Sequence, residues 1–476
     1  MLLGLLWKLG RIKHIKFFQE TASSSSHSFV KLPEDLPENF WERKRLNRIE
    51  LGEFGWKLYT GRSVLNSKEL VSYFVVLALH NGVFKDFLDC LEGRGIVISN
   101  PVIKNINNCY IDHQSCPYLY GDKYHIASFL ADLLEYCLDN KISIHIANDN
   151  EDWEEPGINV KYIRGERFSI LEESSFYIVQ NGNYYVVYYS FYGKLDKGLD
   201  FKFRVAFHDE ELKPKFPENI EIKITNKCKM NCPYCYENST PDGKHANPKF
   251  VENFLDKPIE IVFGGGNPLL HPEIFNFLNH KTYFKAITVN ASFLKDFYYK
   301  LPCKTIGLSY SNLKDTIIAA QKASEYAKVI VHFINGVHTE KEIIEFLEKA
   351  NEYSEYLVES ILILGYKDVG RGKNFKTKEF MKYENLIEIS KKYKIPFIFD
   401  TLAVKQLKIK EKEDKKVFDL FFGGDDGEFS MYYDAVENIY GKSSYHVRKG
   451  QFLANESRYV SITEDLFKKV RKLQFV

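Results

Sequence analysis

Seven short apolar runs recur in the second half of the chain: IEIKIT (Ile220–Thr225), IEIVF (Ile259–Phe263), KAITVN (Lys285–Asn290), TIGLSY (Thr305–Tyr310), VIVHFI (Val329–Ile334), ILILGY (Ile361–Tyr366) and PFIFD (Pro396–Asp400). Between most of them lie stretches with apolar residues three and four apart, such as NLKDTIIAAQKASEYA and TEKEIIEFLEKANEY. Short, β-branched-rich runs predict buried strands, and their alternation with helical patterns predicts a parallel α/β sheet. Six or seven such units fit a full or partial (β/α) barrel of about six to seven parallel strands. In a barrel of this kind the chemistry sits at the C-terminal ends of the strands.

The first half has a different texture. Lys68–Leu91 reads as one or two buried helices, and Tyr124–Asp139 repeats apolar positions at helical spacing. Phe176–Lys194 predicts a hairpin turning at Asn181–Gly182–Asn183, and KFRVAF adds a further strand. These elements form an aromatic-rich α+β module. Ser23–Ser26 with Pro33 and Pro37 read as a tether, and Pro214 and Pro217 mark a boundary. The expected organisation is a tail and linker over 1–55, the module over 56–215, the barrel over 216–404 and a C-terminal extension over 405–476. The extension carries a charged stretch, KIKEKEDKK, a turn, GGDDGE, and a strand pattern in FSMYYDAVENIY.

Composition narrows the class. The 476 residues balance 65 Lys+Arg against 64 Asp+Glu, so there is no polybasic surface to neutralise phosphates and no nucleic-acid partner is expected. In MLLGLLWKLGRIKHIKFF the apolar part precedes Arg11, Lys13 and Lys16, the reverse of a secretory signal. No run reaches the ~18 apolar residues that span a bilayer. A cytoplasmic protein without a membrane partner is the expectation. Aromatic residues make up 15% of the chain, enough to line a wet cleft as well as a core.

Three of the eight cysteines change the picture. The first strand of the rhythm runs into ITNKCKMNCPYCYEN, which puts Cys228, Cys232 and Cys235 on the loop after it, spaced C-x3-C-x2-C. Soft thiolates select zinc or iron–sulfur iron. Structural zinc needs four closed ligands, and the nearby candidate for a fourth is His245. An odd set of three suits a [4Fe-4S] cluster whose remaining iron keeps an open position. Cys109 and Cys116 could form a second metal site with Cys90 and Cys137; the alternative is that Cys90 and Cys137 fill helix faces as small hydrophobes.

The C-x3-C-x2-C spacing, with Tyr234 before the last cysteine and a strand before the first, resembles the radical S-adenosylmethionine superfamily. The segment IEIVFGGGNPLLHPEI is similar to that family's glycine-rich end of strand two. The resemblance covers roughly Glu218 to Asp400. It implies a [4Fe-4S] cluster on the three thiolates, with S-adenosyl-L-methionine chelated at the open iron. An electron from an external flavodoxin- or ferredoxin-type donor then cleaves the sulfonium to a 5′-deoxyadenosyl radical that abstracts a substrate hydrogen. It also implies that Gly264, Gly265 and Gly266 let backbone approach the methionyl group, and that Tyr234 presents its backbone to the adenine. Asn290 and Ser309 would approach the sugar or carboxylate, and Gly365 would border the adenine. The family's acidic residue after the glycines is replaced here by Asn267. No cysteine follows Cys303, so a C-terminal auxiliary cluster domain is not expected.

The layout, with a module before the barrel, resembles enzymes that modify ribosomally made peptides, and the Phe176–Lys194 hairpin would offer strand edges for a peptide. A small-molecule or nucleoside substrate is the enzymatic alternative, and a non-catalytic iron–sulfur protein that recruits a partner is the other. In GYKDVGRGKN, Lys367 and Arg371 could clamp an anion at the barrel mouth, and His332 reads as a core histidine. The amide of Asn267 accepts a hydrogen bond without a charge, so Asn267→Glu should retain or tighten S-adenosylmethionine binding. A tenfold loss by calorimetry would give Asn267 another role.

Overall fold

The computed structural model describes residues 12–17, 27–33, 44–47, 67–94, 96–99, 123–140, 161–164, 169–173, 176–182, 184–190, 200–206, 212–255, 260–280, 284–354, 357–454 and 463–473. The chain divides into two compact units. One comprises Met1–Ile12, Glu34–Lys161 and Val205–Glu211; the other comprises Lys13–Pro33, Tyr162–Arg204 and Leu212–Val476.

The first unit contains the helices Ser67–His80, Phe84–Gly93 and Lys123–Asn140, where the apolar periodicity places them. Their core includes Phe74, Leu77, Phe87, Leu130 and Leu134. Cys90 is buried in it as a small hydrophobe, while Cys109, Cys116 and the Cys137 side chain lie outside the described residues. No described helix is long and apolar enough to cross a membrane.

Among the described residues, the second unit carries two sheets. One is six-stranded, in the order Ile12–Phe17, Asp200–Ala206, Tyr184–Ser190, Phe176–Asn181, Ser169–Glu173, Lys161–Arg164. The hairpin forms as the alternating pattern requires, with Gly182 at φ +76°. A Cβ there would meet the Lys213 carbonyl oxygen at 1.9 Å, so only glycine fits the turn. Both long edges of the hairpin are already paired, one to Ser169–Glu173 and the other to Asp200–Ala206. This corrects the expectation that the hairpin offers free edges to a peptide. The sheet is tied to the second one by buried Arg204, whose Nε donates to Glu218 Oε1 at 2.6 Å and whose Nη2 donates to Oε2 at 2.8 Å. Tyr184 donates to the same carboxylate at 2.7 Å.

The second sheet holds eight parallel strands: β1 (Asn219–Thr225), β2 (Glu260–Gly265), β3 (Phe284–Asn290), β4 (Thr305–Ser309), β5 (Lys328–Ile334), β6 (Ser360–Leu364), β7 (Phe397–Asp400) and β8 (Ser430–Asp434). Their spatial order is 8-1-2-3-4-5-6-7. The seven predicted strands are present, and the eighth comes from the FSMYYDAVENIY segment, beside β1. That order would suit a closed barrel, but β7 and β8 do not pair. The outer edge of β7 takes the antiparallel strand His27–Lys31, and that of β8 takes Ile439–Gly441. The sheet is therefore open, in keeping with a partial barrel.

Strand β1 explains how this sheet acquires a polar face. Ile220, Ile222 and Ile224 are fully buried on one side, while Glu221, Lys223 and Thr225 are buried on the other. A polar row inside a fold persists only when it is paired or bonded. His332 in β5 is buried, as a core histidine should be.

Candidate cofactor and metal site at the strand ends

The loop after β1 folds back on itself. Asn226 donates its N–H to Lys244 O at 2.8 Å, Cys228 to Thr240 O at 2.8 Å, and Cys235 to Cys232 O at 3.2 Å. Asn231 and Asn238 flank the last two cysteines with φ of 49° and 53°, left-handed turns that asparagine tolerates. Cys228, Cys232 and Cys235 are free thiols of intermediate exposure. Burial raises the pKa of Cys228 and Cys232, and the neighbouring thiols raise that of Cys232 further. Thiols this close become thiolates readily only when a metal compensates the charge. His245 is held by Thr225, whose Oγ1 lies 2.9 Å from its Nδ1, and packs edge-on against His271. Among the described residues no three His, Cys, Asp or Glu side chains converge on a single-ion site.

The loop is pinned from two sides. From the β6 side, Arg371 donates through Nε to Cys232 O at 2.9 Å, through Nη1 to Ser239 O at 3.1 Å and through its backbone N–H to Cys235 O at 3.0 Å. The adjacent Gly370 has φ +58°, and a Cβ there would lie 2.4 Å from Tyr236 O and 2.8 Å from Cys235 O. Arg371 is thus engaged with the cysteine loop and does not stand open at the mouth for an external anion. Lys367 is 6% exposed, with its ammonium 4.3 Å from the Tyr236 ring centroid. Burial lowers its pKa, against the pull of Asp400, Glu221, Asp426 and Glu237.

From the β8 side the loop is held by a charge network. Fully buried Lys223 lies 2.6 Å from Glu237 and 3.0 Å from Asp434, and Arg448 reaches the same two carboxylates at 2.5 and 2.9 Å. Glu237 lies two residues beyond Cys235, so the network joins β1, the cysteine loop, β8 and the helix Ser444–Arg448. Sequence reading missed these residues. The available signal was two charges, Glu221 and Lys223, inside an otherwise apolar strand.

The glycine, asparagine and serine candidates lie at the C-terminal ends of strands, and Tyr234 lies within the cysteine loop. Gly265 (φ +115°) and Gly266 pack on the end of β1: an added Cβ would meet Thr225 O at 2.3 Å and Lys227 O at 2.5 Å respectively. Gly264 has more room, with only Glu221 Oε1 at 3.4 Å. Asn267 donates its N–H to Lys227 O at 2.7 Å, and its side-chain oxygen caps the turn Pro268–Leu270 by accepting from Leu269 N at 3.2 Å. Asn290 caps the short helix Ala291–Leu294 through Ser292 N at 2.9 Å and pairs in register with Ser309. Gly365 donates to Asp400 Oδ1 at 2.9 Å, and a Cβ there would strike Leu402. The Tyr234 ring packs edge-on against Phe375 and His338. The glycine segment therefore adjoins the cysteine loop directly, with Asn290 and Ser309 on the next strands.

These features define a mixed α/β protein with a mostly parallel sheet and a cysteine loop at its strand ends. No protein-family profile matches the chain. It is similar to the 7,8-dihydro-6-hydroxymethylpterin dimethyltransferase of Methanocaldococcus jannaschii, 28% identical over 187 residues, which cover 33% of this chain and 36% of that protein. It is also similar to an uncharacterized protein of the same organism, 38% identical over 60 residues, 11% of this chain and 21% of that protein. The chain thus spans about a third and a fifth of the length of these curated relatives. A distant homologue is an enzyme.

Glu237 gives the network a pH signature. Burial opposes its ionisation, but Lys223 and Arg448 hold its pKa at about 2, below the ordinary 4.5. A depressed carboxylate contributes stability that is fully present above the unfolded value and is lost as pH falls through the folded one. That contribution is on the order of 3 kcal/mol. Glu237→Gln should flatten the dependence of the urea midpoint on pH between 4.5 and about 2. A variant with the wild-type slope would show that other groups set the acid transition.

Proposed function

We propose that this chain is a radical S-adenosylmethionine enzyme that holds a [4Fe-4S] cluster on Cys228, Cys232 and Cys235. The observation that carries the reading is the position of the cysteine loop, at the C-terminal ends of parallel strands and directly against the glycine segment of β2. The donor set suits a cluster: three half-buried thiols on one loop, near enough to act on one another electrostatically. With S-adenosylmethionine bound, the cluster would supply reductive cleavage of the sulfonium and a carbon radical for hydrogen abstraction. The protein's part is orientation and exclusion of water. Gly264, the glycine with room beside it, offers backbone at the strand end. Tyr234, Phe375 and His338 wall one side of the loop with rings. An external flavodoxin- or ferredoxin-type donor supplies the electron.

The substrate we propose is a small polar molecule taken into the sheet's polar face. Buried Glu221, Lys367 and Asp400 make that face polar rather than apolar, with Asp400 Oδ1 accepting from the Gly365 and Ala403 N–H groups. The similarity to an enzyme named for a pterin substrate favours the same class. A peptide substrate has less support, since both edges of the Phe176–Asn181 and Tyr184–Ser190 hairpin are paired within the protein.

Anaerobic reconstitution followed by dithionite and S-adenosylmethionine should yield 5′-deoxyadenosine. Replacing the three cysteines with alanine should abolish both that product and the thiolate-to-iron absorbance near ~400 nm. A wild-type chain that holds the cluster and yields no 5′-deoxyadenosine would instead be a non-catalytic iron–sulfur protein.

A further inference from the structure

Arg371 differs from Lys223 and Arg448, the two cations of the charge network on the cysteine loop. Lys223 and Arg448 are both neutralised by Glu237 and Asp434. Arg371 has no carboxylate within ion-pair distance among the described residues; its side chain donates to the carbonyl oxygens of Cys232 and Ser239. No described carboxylate neutralises the guanidinium, which lies against the backbone of the cysteine loop. Its two arms grip carbonyls on either side of Cys235, and its own N–H takes the carbonyl of Cys235 itself. The residues on each side permit this approach. Gly370 adopts φ +58° against the Cys235 and Tyr236 carbonyls, and at Gly372 a Cβ would lie 2.5 Å from Lys367 O and 3.3 Å from Tyr234 O.

We infer that Arg371 is a positioning residue for the metal site, acting in two ways. Its fork sets the spacing of the Cys232 and Cys235 turn before metal arrives, and its unneutralised charge stabilises the more negative, reduced state of the bound cluster. The inference rests on the cluster assignment proposed above. Lysine at this position keeps the charge but carries all its N–H groups on one nitrogen, so it lacks the planar fork whose separate nitrogens reach the two carbonyls. Glutamine keeps a donor and loses the charge. Residues that orient metal ligands from outside the coordination sphere typically matter by about 10- to 100-fold in metal affinity.

The test compares full-length wild type, Arg371→Lys, Arg371→Gln and the Cys228, Cys232, Cys235 triple alanine variant, each reconstituted anaerobically with iron and sulfide. The readouts are iron per chain at limiting iron and the cluster midpoint potential from a dithionite titration followed by electron paramagnetic resonance. Both Arg371 variants should need about 10- to 100-fold more iron to reach the wild-type loading. The potential should stay near wild type in the lysine variant and fall in the glutamine variant, because removing a cation favours the oxidised cluster. Wild-type loading and potential in both variants would overturn the inference. If Arg371→Gln does not fold, Arg371→Lys decides: weaker loading supports the fork, and wild-type loading overturns it. Failure of the cluster assignment itself reads differently, as a wild type that loads no more iron than the triple alanine variant.

Discussion

A single ammonium group organises the functional end of this protein. Lys223 is fully buried in β1 and lies between Glu237 of the cysteine loop and Asp434 of β8. Burying such charges is expensive, and removing one partner from a buried pair typically costs ~3–5 kcal/mol because the other charge is left stranded. The carboxylates are shared with Arg448, so four ionised groups from four segments satisfy one another. The geometric consequence is that β8 must lie beside β1, in the register Lys223 opposite Asp434. The same contact fixes where the chain stands immediately after Cys235.

The cysteine loop is therefore held at both ends of its critical stretch. Arg371, from the segment after β6, fixes the carbonyls of Cys232, Cys235 and Ser239, while the Lys223 network fixes Glu237. The closing bonds between Asn226, Cys228, Thr240 and Lys244 make the loop a lobe of its own. All of these are made by the protein alone. Metal ligands already held in place lose less freedom on binding, which is how a scaffold raises affinity without adding ligands. At the end of β2, Gly265 and Gly266 let two strand ends touch, and Asn267 ties its turn to Lys227.

Much of the fold was legible because buried parallel strands are continuous apolar runs, and helices between them have a different period. The cysteine spacing was equally local, so the loop could be found without knowing the fold. What escaped the sequence is long-range. Lys223 and Asp434 are 211 residues apart, as are Glu237 and Arg448, and nothing local marks them as partners. Arg371 lies 139 residues from Cys232, and its glycine-flanked setting suggested an open anion clamp when it is a closed backbone one. The hairpin was predicted from its own alternation, but its neighbours on both edges were not, which turned covered edges into apparent free ones. The glycine and asparagine candidates were found at strand ends, yet Gly265, Gly266, Gly365, Asn267 and Asn290 also answer to close packing or capping.

The most direct measurement is electron paramagnetic resonance of the reduced, reconstituted protein with and without S-adenosylmethionine. Three protein thiolates on a [4Fe-4S] cluster leave one iron open, so the cofactor should bind there and shift the spectrum. Superimposable spectra at saturating cofactor would contradict a cluster with an open iron on Cys228, Cys232 and Cys235.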